Sequence, residues 1–333
     1  MIEKLSVRLV KYRLPLLLAV SIAALAFPMV FTSKYLIRIV ILCLMYCMLS
    51  VSLNLMTGVL GQMSFGHAAF WGIGAYTAAI LAKNLGWTGP EILLAAAVVA
   101  GLFGLLLSLP VMHLKGYYFT IITMVFCQII RIIEINWMSL TNGPLGIMAI
   151  PKMSVFGYQI KSQSAYYYTI LVLLVLTTVI VQKIIHSRMG YAILAVRDDD
   201  LAAGAMGINV FKYKVSAIVI ASMLAGVAGA FYAVYTSYID PSCFTNAVSN
   251  NMLVMVIFGG LGNMFGSFVG ATVLTVLPEV LRGFSEYRQL VFGALLVILM
   301  LVRPEGLFGS VNFKYIGQRL SARRQKSGGG SRA

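Results

Sequence analysis

An all-α, polytopic bundle of about eight to ten membrane-spanning helices is the fold this sequence predicts, on three observations. Of 333 residues, 60% are hydrophobic and only 11% charged, with a mean hydropathy of +0.91; a soluble domain runs about 45–50% apolar and about 25% charged. The apolar residues fall in blocks of about 20, the length a helix needs to cross a bilayer. Those blocks do not alternate in polarity, so they are not barrel strands, and helices satisfy every backbone polar group within the segment.

The blocks lie at 14–32, 36–56, 62–82, 91–110, 117–137, 166–185, 212–236, 247–258, 262–281 and 287–302. Lys4, Arg8, Lys11 and Arg13 precede the first, as in a signal peptide, but the run ends in Phe27-Pro28-Met29-Val30-Phe31 without a small-x-small cleavage site. It reads as a retained span. The stretch 247–281 is interrupted by Gly259-Gly260-Leu261-Gly262-Asn263, and is two short pieces, one re-entrant element or one broken helix.

Lysine and arginine near span ends set the orientation. Four lie in the N-terminal segment, five between Lys183 and Lys214, and seven after the last span, from Arg303 to Arg332. These regions are expected to be cytoplasmic, with both termini inside and an even number of crossings. The segment 138–165, with its turn cluster Thr141-Asn142-Gly143-Pro144-Leu145-Gly146, then falls outside. The expected organisation is a cytoplasmic segment 1–13, a transmembrane domain 14–309 with a cytoplasmic connection at 187–211, and a basic, disordered tail 310–333. A net charge of +15 does not indicate nucleic acid, because the basic residues sit in short loops facing anionic lipid. Cys43, Cys47, Cys127 and Cys243 show no metal-ligand spacing.

A six-residue pattern occurs twice. Gly58-Val59-Leu60-Gly61-Gln62-Met63 and Gly259-Gly260-Leu261-Gly262-Asn263-Met264 both read Gly-x-Leu-Gly-(Gln/Asn)-Met. Chance recurrence in a glycine-rich chain is one reading; a broken helix beside the pathway in each half of a transporter is the other. The span count puts both copies on the cytoplasmic side.

The connection from Ser187 to Asn209 holds three consecutive acids, Asp198, Asp199 and Asp200. They can cap a short helix and favour its N-terminal dipole. Leu201-Ala202-Ala203 is helix-forming and Gly207 is a plausible stop, with Gly190 and Gly207 as flexible flanks. Such a helix is either an ordinary interfacial element or a docking element, its small side chains allowing close approach and Arg197 with its acidic neighbours setting register.

Here the sequence resembles a known family. Leu201-Ala202-Ala203 through Gly207 keeps the spacing of the EAA coupling loop of permease subunits in bacterial ABC importers, with Leu201 where the loop's glutamate usually stands. The stretch from Ala195 to Asn209 is similar to the branched-chain amino acid permease family, LivM type, which includes urea and amide permeases. So are Ser52-Leu53-Asn54-Leu55-Met56-Thr57-Gly58 to Ala75-Tyr76, Gly116-Tyr117-Tyr118-Phe119-Thr120, the 141–146 turn, and Arg303-Pro304-Glu305-Gly306-Leu307-Phe308-Gly309. Gly204 departs from the pattern, since members often carry glutamate there. The resemblance implies an ABC importer permease fold in the bacterial inner membrane. It implies a second related permease, two cytoplasmic ATPases that hold the ATP and Mg²⁺, and an extracytoplasmic solute-binding protein. The chain has no Gly-x-x-x-x-Gly-Lys-Ser/Thr phosphate loop, in keeping with energy supplied by a partner. No cofactor of its own is expected. Arg197, Asp198, Asp199, Asp200, Leu201, Ala202, Ala203 and Gly207 would form the coupling loop, with Ala202 and Ala203 packed on the ATPase.

Polar groups inside spans are the candidates for the pathway. Asn54, Gln62, Ser64 and His67 cluster around Gly58, Gly61 and Gly66; Asn142 and Gly143 suit an outer mouth; Asn250 and Asn251 open the interrupted region. Each can instead serve helix packing. Arg131 and Glu134, three apart, are expected to form a local ion pair. Glu91, Glu134 and Glu279 all sit at span ends, which counts against a self-sufficient ion-coupled transporter. His67, His113 and His186 lie in separate segments, which counts against a membrane-embedded enzyme.

Overall fold

The computed structural model describes residues 33–111, 117–155, 158–160 and 162–280, together with Phe27, Pro28, Gly293, Val297, Gly306 and Leu307. The segment 1–13, almost all of the expected spans 14–32 and 287–302, and the tail 310–333 lie outside the described residues.

Within them the chain is a helical bundle. Helix α1 (Lys34–Asn54) runs on into a π-helical turn, Leu55–Val59. After a non-helical link come α2 (His67–Asn84), α3 (Glu91–Val111), α4 (Tyr117–Asn136) and the single turn α5 (Met138–Thr141). Three two-residue strands follow, β1 (Ile147–Met148), β2 (Ser154–Val155) and β3 (Tyr158–Gln159). Then come α6 (Gln163–Ile185), α7 (Arg188–Asp198), α8 (Asp200–Ala205) and α9 (Val210–Thr236). Strand β4 (Tyr238–Ile239), a 3₁₀ turn (Pro241–Phe244), α10 (Asn246–Gly259) and α11 (Met264–Val280) complete the described chain. β1 pairs antiparallel with β4, and β2 with β3; these small pairs satisfy backbone groups in connections where the sequence reading expected no strand.

Five described helices are long and apolar enough to cross a membrane: α1 with its π turn, α3, α4, α6 and α9. The sequence boundaries need one correction, and one open alternative is settled. The block expected at 62–82 becomes helical only at His67, so Gln62 and Ser64 lie in the link before α2. The interrupted stretch 247–281 is two separate helices, α10 and α11, packed against each other.

Helix α9 is the axis of the bundle, packed against α2 and α3. Its buried residues are largely Ala and Gly, including Ala221, Ala225, Gly226, Ala228 and Gly229. In an apolar solvent there is little hydrophobic force between helices, so close backbone approach supplies the attraction. At Gly74 a Cβ would fall 2.2 Å from the Gly226 carbonyl oxygen, and at Gly229 one would fall 2.0 Å from the Trp71 carbonyl oxygen, so glycines on both helices permit the α2–α9 crossing.

Candidate functional site

The connection between α6 and α9 folds as two helices at one end of the bundle. Ser187 caps α7, its Oγ accepting from Gly190 N. Asp199 has extended backbone and ends α7 while capping α8: its Oδ1 accepts from Leu201 N at 2.8 Å and Ala202 N at 3.1 Å. Gly207 stops α8 at φ +82°, a conformation costly to any residue with a Cβ, and Ile208 N closes the turn on Ala203 O. The cap and stop therefore stand where the residue pattern puts them. Gly190 does not behave as a flexible flank. It lies inside α7, where a Cβ would sit 2.3 Å from Ile184 O, and lets α7 turn off the end of α6.

The faces of α8 are unequal. Ala203 is buried within the chain, whereas Leu201 is 76% and Met206 83% exposed, and Ala202 is exposed beside them. Of the two alanines expected to pack outward, only Ala202 does so. Asp200, the first residue of α8, forms an ion pair with Lys214 of α9, whose side chain is only 6% exposed. Asp198 ends α7 in an exposed position. Arg197 reaches the other way. Its Nη1 donates to the Gly58 carbonyl at 2.8 Å, at the end of the π turn, and its stem lies against Gly61.

That contact falls where the two Gly-x-Leu-Gly copies meet. A Cβ on Gly58 would lie 2.2 Å from Gly262 N, so the two turns touch backbone to backbone. Asn54 Oδ1 accepts from Gly262 N at 2.9 Å. Gly61 and Gly262, matching positions of the two copies, have φ +79° and +77°. One end of α1, the start of α11 and the tip of α7 thus share a single junction.

The sequence profile of the family described as "Branched-chain amino acid transport system / permease component" matches residues 35–300. The chain belongs to this permease family. It is 32% identical over 317 residues to the high-affinity branched-chain amino acid transport system permease protein LivM of Escherichia coli K12, covering 87% of this chain and 74% of LivM. It is 26% identical over 292 residues to LivH of the same strain, covering 79% of this chain and 91% of LivH. A shorter match, 29% over 121 residues, is to the ribose import permease protein RbsC of that strain, covering 34% of this chain and 38% of RbsC. No solved structure matches.

The remaining polar residues of this permease divide among three places. Near the junction, Ser64 Oγ accepts from Gly66 N, and His67, fully buried at the start of α2, pairs its Nε2 with Ser52 Oγ at 2.7 Å. Gln62 is 9% exposed, and its Oε1 has no partner among the described residues. Asn54 and His67 are thus engaged in packing bonds. Asn142 and Gly143 lie after α5, both at positive φ, with Asn142 Nδ2 donating to Gly146 O at 2.9 Å; Asn142 is exposed and Gly143 buried. Asn250 and Asn251 are both exposed on α10. The candidates therefore do not gather into one cluster.

Sequence reading missed three features. Ser249 Oγ of α10 caps α2 by accepting from Ala68 N at 2.8 Å, a tertiary cap without a local signature. Asp240 caps the 3₁₀ turn, its Oδ1 accepting from Ser242 Oγ at 2.8 Å and Cys243 N at 3.2 Å. Burial raises the Asp240 pKa, but hydrogen bonds from the Cys243 thiol, Ser242 and the Cys243 amide outweigh it and hold the carboxyl below its ordinary value. Finally, Glu134 is only 4% exposed and makes no ion pair with Arg131, contrary to the expectation from their spacing. Its side chain turns toward Gly72 of α2 instead.

Proposed function

We propose that this permease is the membrane subunit of an ATP-driven importer of the ABC class, moving branched-chain or related amino acids across the bacterial inner membrane by alternating access. The observation that carries this reading is the α7–α8 pair. It presents an exposed apolar face at Leu201, Ala202 and Met206, while Ala203, Asp200 and Arg197 fasten it to the bundle. An element with one free face and several internal anchors is suited to receive a push from a partner and pass it on.

In this mechanism both termini and the α7–α8 pair are cytoplasmic. Two ATPase subunits, which hold ATP and Mg²⁺, dock on the free face of α8; this chain holds no cofactor itself. Similarity to both LivM and LivH supports pairing with a second, related permease. A solute-binding protein delivers cargo at the opposite face. Closure of the ATPases shifts α8, and through it Lys214 on α9 and Gly58 at the junction. The two bundles then rock about a central path.

The test is to purify the tagged chain from its native membrane, identify what accompanies it, and reconstitute that complex in liposomes. An ATPase and a second permease, with leucine accumulation only when ATP is present, are the expected result. A chain that purifies alone and moves solute without ATP overturns the reading. Accumulation of urea or a short amide in place of leucine would keep the mechanism and replace the solute.

A further inference from the structure

Glu134 stands in an unusual place. It lies in the last turn of α4, and neither carboxylate oxygen has a hydrogen-bond partner among the described residues. A carboxyl group buried without a partner costs several kcal/mol in either protonation state, and ionisable groups inside a membrane bundle are functional candidates by default. The helix phase aims it inward: Glu134 continues the buried stripe of α4 formed by Phe119, Thr123, Cys127 and Ile130, so a carboxyl stands where helix packing alone would take an apolar side chain.

Its surroundings are specific. The place a Gly72 Cβ would occupy is 2.9 Å from Glu134 Oε1 and 2.9 Å from Phe244 Cγ, so the carboxylate and the Phe244 ring flank the same residue without a side chain. Phe244 packs edge-on against Trp71, with ring centroids 4.8 Å apart, and against Tyr76 at 5.9 Å. Trp71 Nε1 and Tyr76 Oη are also buried without partners. Three side chains bordering one aromatic ring thus leave polar atoms unsatisfied. The ring itself comes from the last residue of a short 3₁₀ turn outside the helices.

We propose that this is a ligand site for a protonated amine with an apolar body, occupied here by Phe244. Glu134 binds the ammonium group, the faces of Trp71 and Tyr76 add cation–π attraction, and the apolar body takes the space of the Phe244 ring when the Pro241–Phe244 turn withdraws. Arg131, one turn away on α4, has its own Nε buried and unpartnered and is the group placed to meet an anionic end of the same ligand. The inference deepens the importer reading, on which it rests for its identification of an amino acid as the ligand.

The experiment uses the purified full chain in nanodiscs and three probes: leucine, isopentylamine, which lacks the carboxylate, and isocaproate, which lacks the amine. Leucine and isopentylamine are expected to raise the melting temperature, isocaproate not. Glu134→Gln abolishes both shifts and Tyr76→Leu, which removes the ring face, reduces them, while the ligand-free melting temperature of Glu134→Gln equals or exceeds that of the parent. If Glu134→Gln fails to fold, Glu134→Asp, with a retracted carboxylate, is expected to weaken the amine shift at least about tenfold in apparent affinity. Amine shifts that survive Glu134→Gln, or that are missing from the parent, overturn the site; a lower ligand-free melting temperature then marks Glu134 as a structural group satisfied by internal water. Uptake by the parent complex is scored separately. Leucine accumulation without an amine shift removes the site alone, and an amine shift without ATP-driven accumulation removes the importer reading alone.

Discussion

Asn54 Oδ1 accepts a hydrogen bond from the Gly262 amide at 2.9 Å, joining two residues 208 positions apart. The bond ties the end of α1 to the turn between α10 and α11. Replacing Asn54 by Ala leaves that amide without its acceptor and opens space in a fully packed region, at a cost of about 1–3 kcal/mol. The shift per kcal/mol shrinks with chain length, so this is a fall of roughly 2 °C per kcal/mol in melting temperature. Equal melting temperatures for Asn54→Ala and the parent in detergent would show that the junction does not depend on this bond.

Arg197 bridges α7 to the same junction through Gly58 O. If motion at α8 reaches the bundle by this route, Arg197→Ala leaves the ATPases turning over and lowers the solute moved per ATP by about tenfold, an uncoupling of about 1.4 kcal/mol. Arg197→Lys retains a donor and is expected to restore part of it. A parallel fall of ATPase and uptake in both variants would mark Arg197 as a folding residue only.

The unequal faces of α8 separate docking from stability. Ala202→Glu adds charge on the exposed side and is expected to release the ATPase during co-purification while the permease remains in the membrane. Ala203→Glu drives charge into a buried position and is expected to lower the yield of inserted protein, with a penalty of several kcal/mol. The prediction fails if the two variants behave alike.

These residues also show what the sequence could reveal. The five described membrane-length helices followed from apolar block length, and the Asp199 cap and Gly207 stop followed from local backbone rules that operate within one turn. The start of α2 was not legible. Gln62 to Gly66 continue an apolar, glycine-rich run, and only the backbone at Gly61 shows that the helix has been interrupted. The faces of Ala202 and Ala203 and the reach of Arg197 depend on neighbours far along the chain. A segment rich in Ala and Gly has too little contrast in polarity to declare its buried side. The repeat was visible as a six-residue pattern, but the contact between its copies is tertiary.

Asp200 and Lys214 make a second separable claim. Lys214 is nearly buried, so Asp200→Ala leaves an unpaired ammonium in a dry place, whereas Asp198→Ala removes a solvated charge from an exposed helix end. Breaking a buried pair from one side costs about 3–5 kcal/mol, less where water reaches one partner as it does Asp200; the exposed change costs within about 0.5 kcal/mol. Thermal unfolding of the two variants should therefore rank Asp200→Ala well below Asp198→Ala. The double variant Asp200→Ala with Lys214→Met removes the stranded charge and is expected to recover much of the loss. No recovery would mean that the pair holds α8 by geometry rather than charge.

The turn that carries Phe244 gives the pH prediction. Its cap, Asp240, has a carboxyl held below the ordinary value by donors from Ser242 and Cys243. A folded-state pKa below the unfolded one means that the charged cap stabilises the turn above the unfolded carboxylate range, near pH 4. The stabilisation is lost as pH falls through the lower, folded value. Asp240→Asn keeps an oxygen acceptor but has no charge to lose. Since the group is partly exposed, solvent screening limits the difference at neutral pH to about 1 kcal/mol. The parent should accordingly melt slightly above Asp240→Asn at pH 7, and the gap should close as the solution is acidified past pH 4. A gap that is constant with pH would assign the turn's stability to the geometry of the cap, and the carboxylate charge would then have no part in holding Phe244 in place.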